Sequence, residues 1–98
     1  MKRHGATALQ LAAIKGLLGI VFILLENGAN VNDPAAEFGG RTTLEGAAEH
    51  ERIDMVQLLL NSRVSIFQEG RVQYENAIRR ASENGHSTVR LLLESYHG

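Results

Sequence analysis

The strongest constraint on this sequence is that it repeats itself. The stretch from Gly5 to Asn32, G-A-T-A-L-Q-L-A-A-I-K-G-L-L-G-I-V-F-I-L-L-E-N-G-A-N-V-N, recurs twice in altered form. A shift of 35 places Thr7 on Thr42, Leu9 on Leu44, Ala12-Ala13 on Ala47-Ala48, Ile20-Val21 on Met55-Val56 and Leu24-Leu25 on Leu59-Leu60. A shift of 34 then carries Leu44 to Ile78 and Ala47-Ala48 to Ala81-Ser82. A shift of 33 lays Leu58-Leu59-Leu60 on Leu91-Leu92-Leu93, which implies that one residue has dropped out near His86-Ser87. Three copies with this period form an array of units, each stacked on the next.

Within a copy the pattern is helix, turn, helix. Thr7 with Gln10, and Thr42 with Glu45, have the spacing of a capping box, in which each residue's side chain bonds the other's backbone N–H. Leu9, Ala12 and Ala13 mark one apolar side of a short first helix, and Gly16 breaks it. Ile20, Val21, Ile23, Leu24 and Leu25 carry a second helix at spacings of three and four. Asn27-Gly28 ends it, because Gly takes the left-handed conformation without steric cost. The copies predict helices near residues 7–15, 19–27, 42–50, 53–62, 75–84 and 87–96, in one domain with units at about 4–36, 37–70 and 71–98. Small Ala12, Ala13, Ala47, Ala48, Ala81 and Ser82 let the first helices pack closely, with the Leu-rich second helices as an outer row. Arg63 aligns with Gly28, so either it accepts a left-handed backbone at about 1–2 kcal/mol or the helix ends at Asn61-Ser62.

These residues resemble the ankyrin-repeat family. Its T-P-L-H-x-A-A pattern is matched by T-A-L-Q-L-A-A, T-T-L-E-G-A-A and N-A-I-R-R-A-S, its G-H by Gly85-His86, and its G-A-x-x-N by Gly28 to Asn32. The family's Pro is Ala8, Thr43 and Ala77 here, and its His is Gln10, Glu45 and Arg79. In the first two copies the second change creates the capping boxes, and a cap worth about 1 kcal/mol offsets the missing Pro. Phrases such as G-R-T-T-L-E-G-A-A-E-H and R-I-D-M-V-Q-L-L-L also resemble divergent arrays at the C-terminal ends of fungal nucleotide-triphosphatase receptor proteins. The resemblance implies an all-α solenoid of three helix–turn–helix units joined by turns or short hairpin fingers. The linker from Asn32 to Arg41 holds the only Pro and should form a slightly long finger; that from Ser65 to Tyr74 has lost most turn signals.

Composition narrows the chemistry. Hydrophobic residues make up 44% and aromatics 5%, so Leu, Ile, Val and Ala build the core. With no cysteine there is neither a disulfide framework nor a cysteine zinc site. A net charge of -1 argues against a nucleic-acid surface. The apolar run Leu17 to Leu25 is far short of the roughly 20 residues that span a bilayer. The start M-K-R-H has no signal-peptide layout. A cytoplasmic protein is expected, the nucleus remaining open.

No residue set suggests an enzyme, a metal or a cofactor. His4, His50, His86 and His97 offer no pair at helical metal spacing, and His86 is expected to bond backbone. Glu45 and Glu49 share a helix, but one is a cap and the other a solvated groove residue rather than a glycosidase pair. Ser87 beside His86 lacks triad geometry, and Gly39-Gly40 lacks the Lys of a phosphate loop. Lys2-Arg3 and Arg79-Arg80 read as solvated basic pairs.

What remains is binding to another protein. Partners of ankyrin arrays, as the resemblance implies, meet the finger tips and the concave face of the first helices. By motif position that surface takes in Arg3, His4, Ala6, Ile14 and Lys15, then Phe38, Gly39, Arg41, Glu49 and His50, then Gln73, Glu75, Glu83 and Asn84. Phe38 is either a binding aromatic or folded onto the neighbouring finger. The alternative is a structural or capping end of a longer array in a signalling or receptor protein, with no ligand of its own. The third copy is polar, through Arg79, Arg80, Glu83, Arg90, Glu94 and His97. The first keeps Leu17, Leu18, Ile20, Phe22 and Ile23, which leaves an apolar side expected to form a homodimer unless another repeat precedes it.

Overall fold

The computed structural model describes residues 7–35, 40–64, 66 and 70–96. In chain order its helices are α1 (Ala8–Lys15), α2 (Leu18–Glu26), α3 (Thr43–Glu49), α4 (Ile53–Asn61), α5 (Arg71–Glu83) and α6 (Ser87–Ser95). No strand occurs among the described residues. The helices form three consecutive pairs. The first helices α1, α3 and α5 pack side by side as one layer, with α2, α4 and α6 behind them.

Both predicted capping boxes are present. The Gln10 N–H donates to Thr7 Oγ1 at 3.0 Å, and the Thr7 N–H to Gln10 Oε1 at 2.9 Å. Thr42 and Glu45 repeat the arrangement at 3.1 and 3.2 Å. The remaining atoms of the two residues at the third helical position then diverge by chemistry. An amide still has donors, and Gln10 Nε2 donates to the carbonyls of Asp33 and Pro34 at 3.2 and 2.9 Å, pinning the first finger. A carboxylate has none. Glu45 Oε2 instead accepts from Asn76 Nδ2 of the next copy at 3.0 Å.

The turn between paired helices is the same three times. Leu17, Arg52 and His86 each precede the second helix with φ between -92 and -85° and ψ between 71 and 78°. Their N–H groups donate back to Ala12, Ala47 and Ala81 at 3.0, 3.0 and 2.8 Å. The residue before each is left-handed: Gly16 at φ 74°, Glu51 at 53° and Gly85 at 73°. Arg63 takes the left-handed conformation at φ 67°, as its alignment with Gly28 at φ 91° anticipates, and α4 ends at Asn61. Glu51 is a second such residue, standing where the first and third copies have Gly16 and Gly85.

Three expectations are corrected in the third copy. Its first helix begins at Arg71, not near residue 75, so part of the supposed linker is helical. The segment R-V-Q-Y-E-N has no breaker. An Arg71–Glu75 pair at 2.9 Å and the Arg71 guanidinium over the Tyr74 ring support the extra turn. Asn76, which aligns with the Thr of the family pattern, therefore lies inside the helix. The shift of 33 is also superseded. Because Arg52 and His86 occupy the same turn position, 34 holds throughout, and Val89, Leu92 and Leu93 stand on Met55, Leu58 and Leu59. Finally, Ser82 is exposed, whereas its counterparts Ala13 and Ala48 are buried.

The core runs through the stack. Leu9, Ala12 and Ala13, then Leu44, Ala47 and Ala48, then Ala77 and Ala81 line the first layer. Val21, Met55, Val56, Leu59, Leu60, Val89 and Leu93 fill the second. Alanine at the contacts lets neighbouring backbones approach. At one contact between α1 and α3 even Ala is too large: a Cβ on Gly46 would stand 2.6 Å from Ile14 Cγ1. Tyr96 ties the last helix down, its hydroxyl donating to the Leu60 carbonyl at 3.1 Å.

Candidate functional site

Arg41 enters just before the Thr42 cap, and Glu49 ends α3 two turns later, so the two side chains meet across the helix. The guanidinium grips the carboxylate as a fork, Nε to Oε1 at 2.8 Å and Nη2 to Oε2 at 3.2 Å. His50 Nε2 lies 3.9 Å from Glu49 Oε1, and Arg80 Nη1 of the third copy lies 4.0 Å from Oε2. The hydrogen bonds from Arg41 hold the Glu49 carboxyl below the usual glutamate range, with the charges of Arg41, Arg80 and His50 adding and partial burial opposing. The Arg41 guanidinium is pushed above its ordinary value, chiefly by the hydrogen bond to Glu49.

Of the sequence-derived surface, the structure therefore brings Arg41, Glu49 and His50 together. Lys15, the last residue of α1, is exposed. Glu75 is exposed and turned to Arg71. Glu83 pairs with Arg79 at 3.4 Å, and Asn84 caps α5 by donating to the Arg80 carbonyl at 2.7 Å. Arg3, His4, Ala6, Phe38 and Gly39 lie outside the described residues. Arg80 joins the cluster although its sequence context reads as a solvated pair with Arg79. The usable signal was its register with Gly46, the position that meets the preceding copy.

A second row of polar groups serves the stack itself. His86 Nε2 lies 3.0 Å from the Glu49 carbonyl oxygen, one copy back. Arg52, in the same position of the second copy, donates from Nε to the Ile14 carbonyl at 3.0 Å. These side chains are structural hooks. Among the described residues no three His, Asp or Glu side chains converge as a metal site. No helix among them is long and apolar enough to cross a membrane.

Comparison with known proteins agrees with this architecture. A family model for ankyrin repeats in three copies matches residues 1–69. The E3 ubiquitin-protein ligase XBAT33 of Arabidopsis thaliana is 36% identical over 89 residues, covering 90% of this chain and 17% of the relative. The probable E3 ubiquitin-protein ligase XBOS33 of Oryza sativa subsp. japonica is 37% identical over the same shares. The mouse (Mus musculus) protein fem-1 homolog A-like is 34% identical over 87 residues, 89% of this chain and 13% of that protein. The chain thus spans less than a fifth of these relatives. With its repeated capping boxes, its repeated turn and a matched stretch of well over half its length, the chain belongs to the ankyrin-repeat family.

Proposed function

We propose that the chain binds a partner protein along the face carried by α1, α3 and α5 and the adjoining finger bases. One observation carries this reading. Lys15, His50 and Asn84 occupy one register position in the three copies, all exposed at the helix ends, and each offers different chemistry. A turn earlier the same helices keep a buried Ala, at 12, 47 and 81. Residues used for stacking are repeated, while those facing water differ, as a surface that recognises a particular partner requires. The Arg41–Glu49 fork adds a charged pair already fixed in place. With mixed charges and a net charge of -1, specificity comes from local matching of charges rather than long-range steering.

The test compares proteins retained by the intact chain with those retained by two variants. Lys15→Ala, His50→Ala and Asn84→Ala together should lose a specifically bound protein. Gln57→Ala with Leu91→Ala, on the opposite layer, should keep it. Loss on the second variant and retention on the first would place binding elsewhere. No catalytic role is assigned, since the ligases named above are proteins of which this chain spans only 17%. A second reading, the closing end of a longer array, is favoured by the exposed polar residues Ser82 and Glu94 on the last pair.

A further inference from the structure

We infer that the open face of the first helix pair is a docking surface for one more helix pair of the same kind, stacked on it from the side away from the second copy. The inference uses residues separate from the proposed partner face and deepens the array reading by naming the surface that continues the array and what fits it.

The register of the three copies carries it. Four positions look back toward the preceding pair: Thr43, Gly46, Met55 and Leu58 in the second copy, and Ala77, Arg80, Val89 and Leu92 in the third. All eight are buried or half-buried. Gly46 abuts Ile14, and Arg80 meets Glu49, which stands one copy on from Ile14. In the first copy the same positions are Ala8, Leu11, Ile20 and Ile23, and all four are exposed, the last three at 48, 49 and 56%. Met55, the counterpart of Ile20, is 1% exposed. Phe22 is not part of this face, because its counterparts Gln57 and Leu91 are exposed as well.

The forward-looking positions behave oppositely. Ala13, Val21 and Leu25, like Ala48, Val56 and Leu60, are buried or half-buried. In the third copy they become Ser82, Arg90 and Glu94, and Arg90 Nη1 bonds Glu94 Oε1 at 3.0 Å. One end of the stack is therefore polar and closed, the other apolar and open. The occupant follows from continuity with the two interfaces already inside the molecule. The back-looking row of the second copy is covered by a forward face of small residues on a first helix and branched apolar residues on a second. Leu11, Ile20 and Ile23 call for the same chemistry. A second copy of this chain cannot supply it head to tail, because its own forward face carries Ser82, Arg90 and Glu94.

The experiment inserts a duplicate of residues 7–41 directly ahead of Thr7 in the full chain, so that the forward face formed by Ala13, Val21 and Leu25 meets the original first copy. The expected result is a melting temperature higher by roughly 10 °C or more. Amide exchange in α2 should slow by on the order of tenfold or more. Ile20→Lys in the original copy should remove most of the gain. In the unextended chain the same substitution should leave the melting temperature within about 2 °C, whereas Met55→Lys should unfold it. Unchanged exchange in α2 of an extended chain whose α3 to α6 amides stay protected would overturn the inference. So would an unextended chain that Ile20→Lys destabilises as much as Met55→Lys, which does not depend on the extended chain folding. A concentration-dependent dimer of the unextended chain, dissolved by Ile20→Lys in sedimentation, would also overturn it by assigning the face to a second copy.

Discussion

Gln10 offers the sharpest test of how this chain is held together, because Gln10→Glu changes one atom's chemistry and almost nothing of its shape. Oε1 accepts the Thr7 N–H, a role that a carboxylate keeps. Nε2 donates to two carbonyls, at Asp33 and Pro34, and a carboxylate cannot. The partners also fix the amide's orientation, since only its nitrogen suits two carbonyls. Two lost hydrogen bonds are worth about 0.5–1.5 kcal/mol each. The new oxygen would face two carbonyl oxygens at a side chain only 1% exposed, which adds roughly another 1–3 kcal/mol. A net loss of about 2–6 kcal/mol at pH 7 is expected, large against a typical stability on the order of 5–15 kcal/mol. The sign with pH is opposite to that of a paired carboxylate. Burial against acceptors raises the introduced group's folded pKa above its unfolded value of about 4.3. The deficit is therefore full above the raised value and shrinks as pH falls toward the unfolded one, where the protonated acid donates to one carbonyl. Urea unfolding followed by circular dichroism at pH 7, 6 and 5 measures it. No deficit at pH 7, or a deficit of constant size across the series, would refute the reasoning.

Three further outcomes are expected. Arg63→Gly should stabilise the chain by about 1 kcal/mol, because it relieves a left-handed non-Gly residue; a melting temperature that does not rise contradicts this. Gly46→Ala should destabilise by about 1 kcal/mol, since crowding of Ile14 at 2.6 Å, typically about 1–3 kcal/mol, outweighs the gain in helix propensity. In an Ile14→Ala background the sign should reverse, and a double-mutant cycle without coupling would show that the two side chains do not meet. Glu49 is held below the usual glutamate range, so the stability it contributes is present above the unfolded pKa of about 4.3 and lost as pH falls through the lower folded value. Glu49→Gln should remove about 0.5–1 kcal/mol at pH 7 and flatten the fall in stability as pH drops below the unfolded value of about 4.3, as urea midpoints would record.

Much of this was legible before any coordinates. The capping boxes are local, and their partners lie three residues apart, so Thr7, Gln10, Thr42 and Glu45 announce themselves. The paired helices follow from the Leu and Ala spacing. What escaped are contacts whose partner lies far along the chain, from 23 residues away for Gln10 to 38 for Arg52. The second role of Gln10 depends on where the Asp33-Pro34 backbone passes, and Arg52 matches His86 only by position, not by residue type. The start of α5 differs because the family pattern reaches back only to N-A-I-R-R-A-S, while the five breaker-free residues from Arg71 to Glu75 extend the helix ahead of it. Arg80 was set aside as one of a basic pair, although adjacent residues on a helix point about 100° apart. Arg79 turns to Glu83 and Arg80 to Glu49.

The two hooks also have a mechanical meaning. Alanine and valine faces let one helix pair slide or rotate over the next at little cost, whereas a hydrogen bond of 3.0 Å does not. By grasping the Ile14 and Glu49 carbonyls, Arg52 and His86 act as detents that set the pitch and bend of the stack at both internal joints. Leu17 occupies the same turn with no donor to offer. A pair stacked there would be located by shape alone, so that joint would be the swivel of the array, free to change curvature while the two joints behind it stay rigid. Leu17→Arg should pin it, and small-angle scattering of the extended chain that shows no narrowing of its size distribution on that substitution would count against the idea.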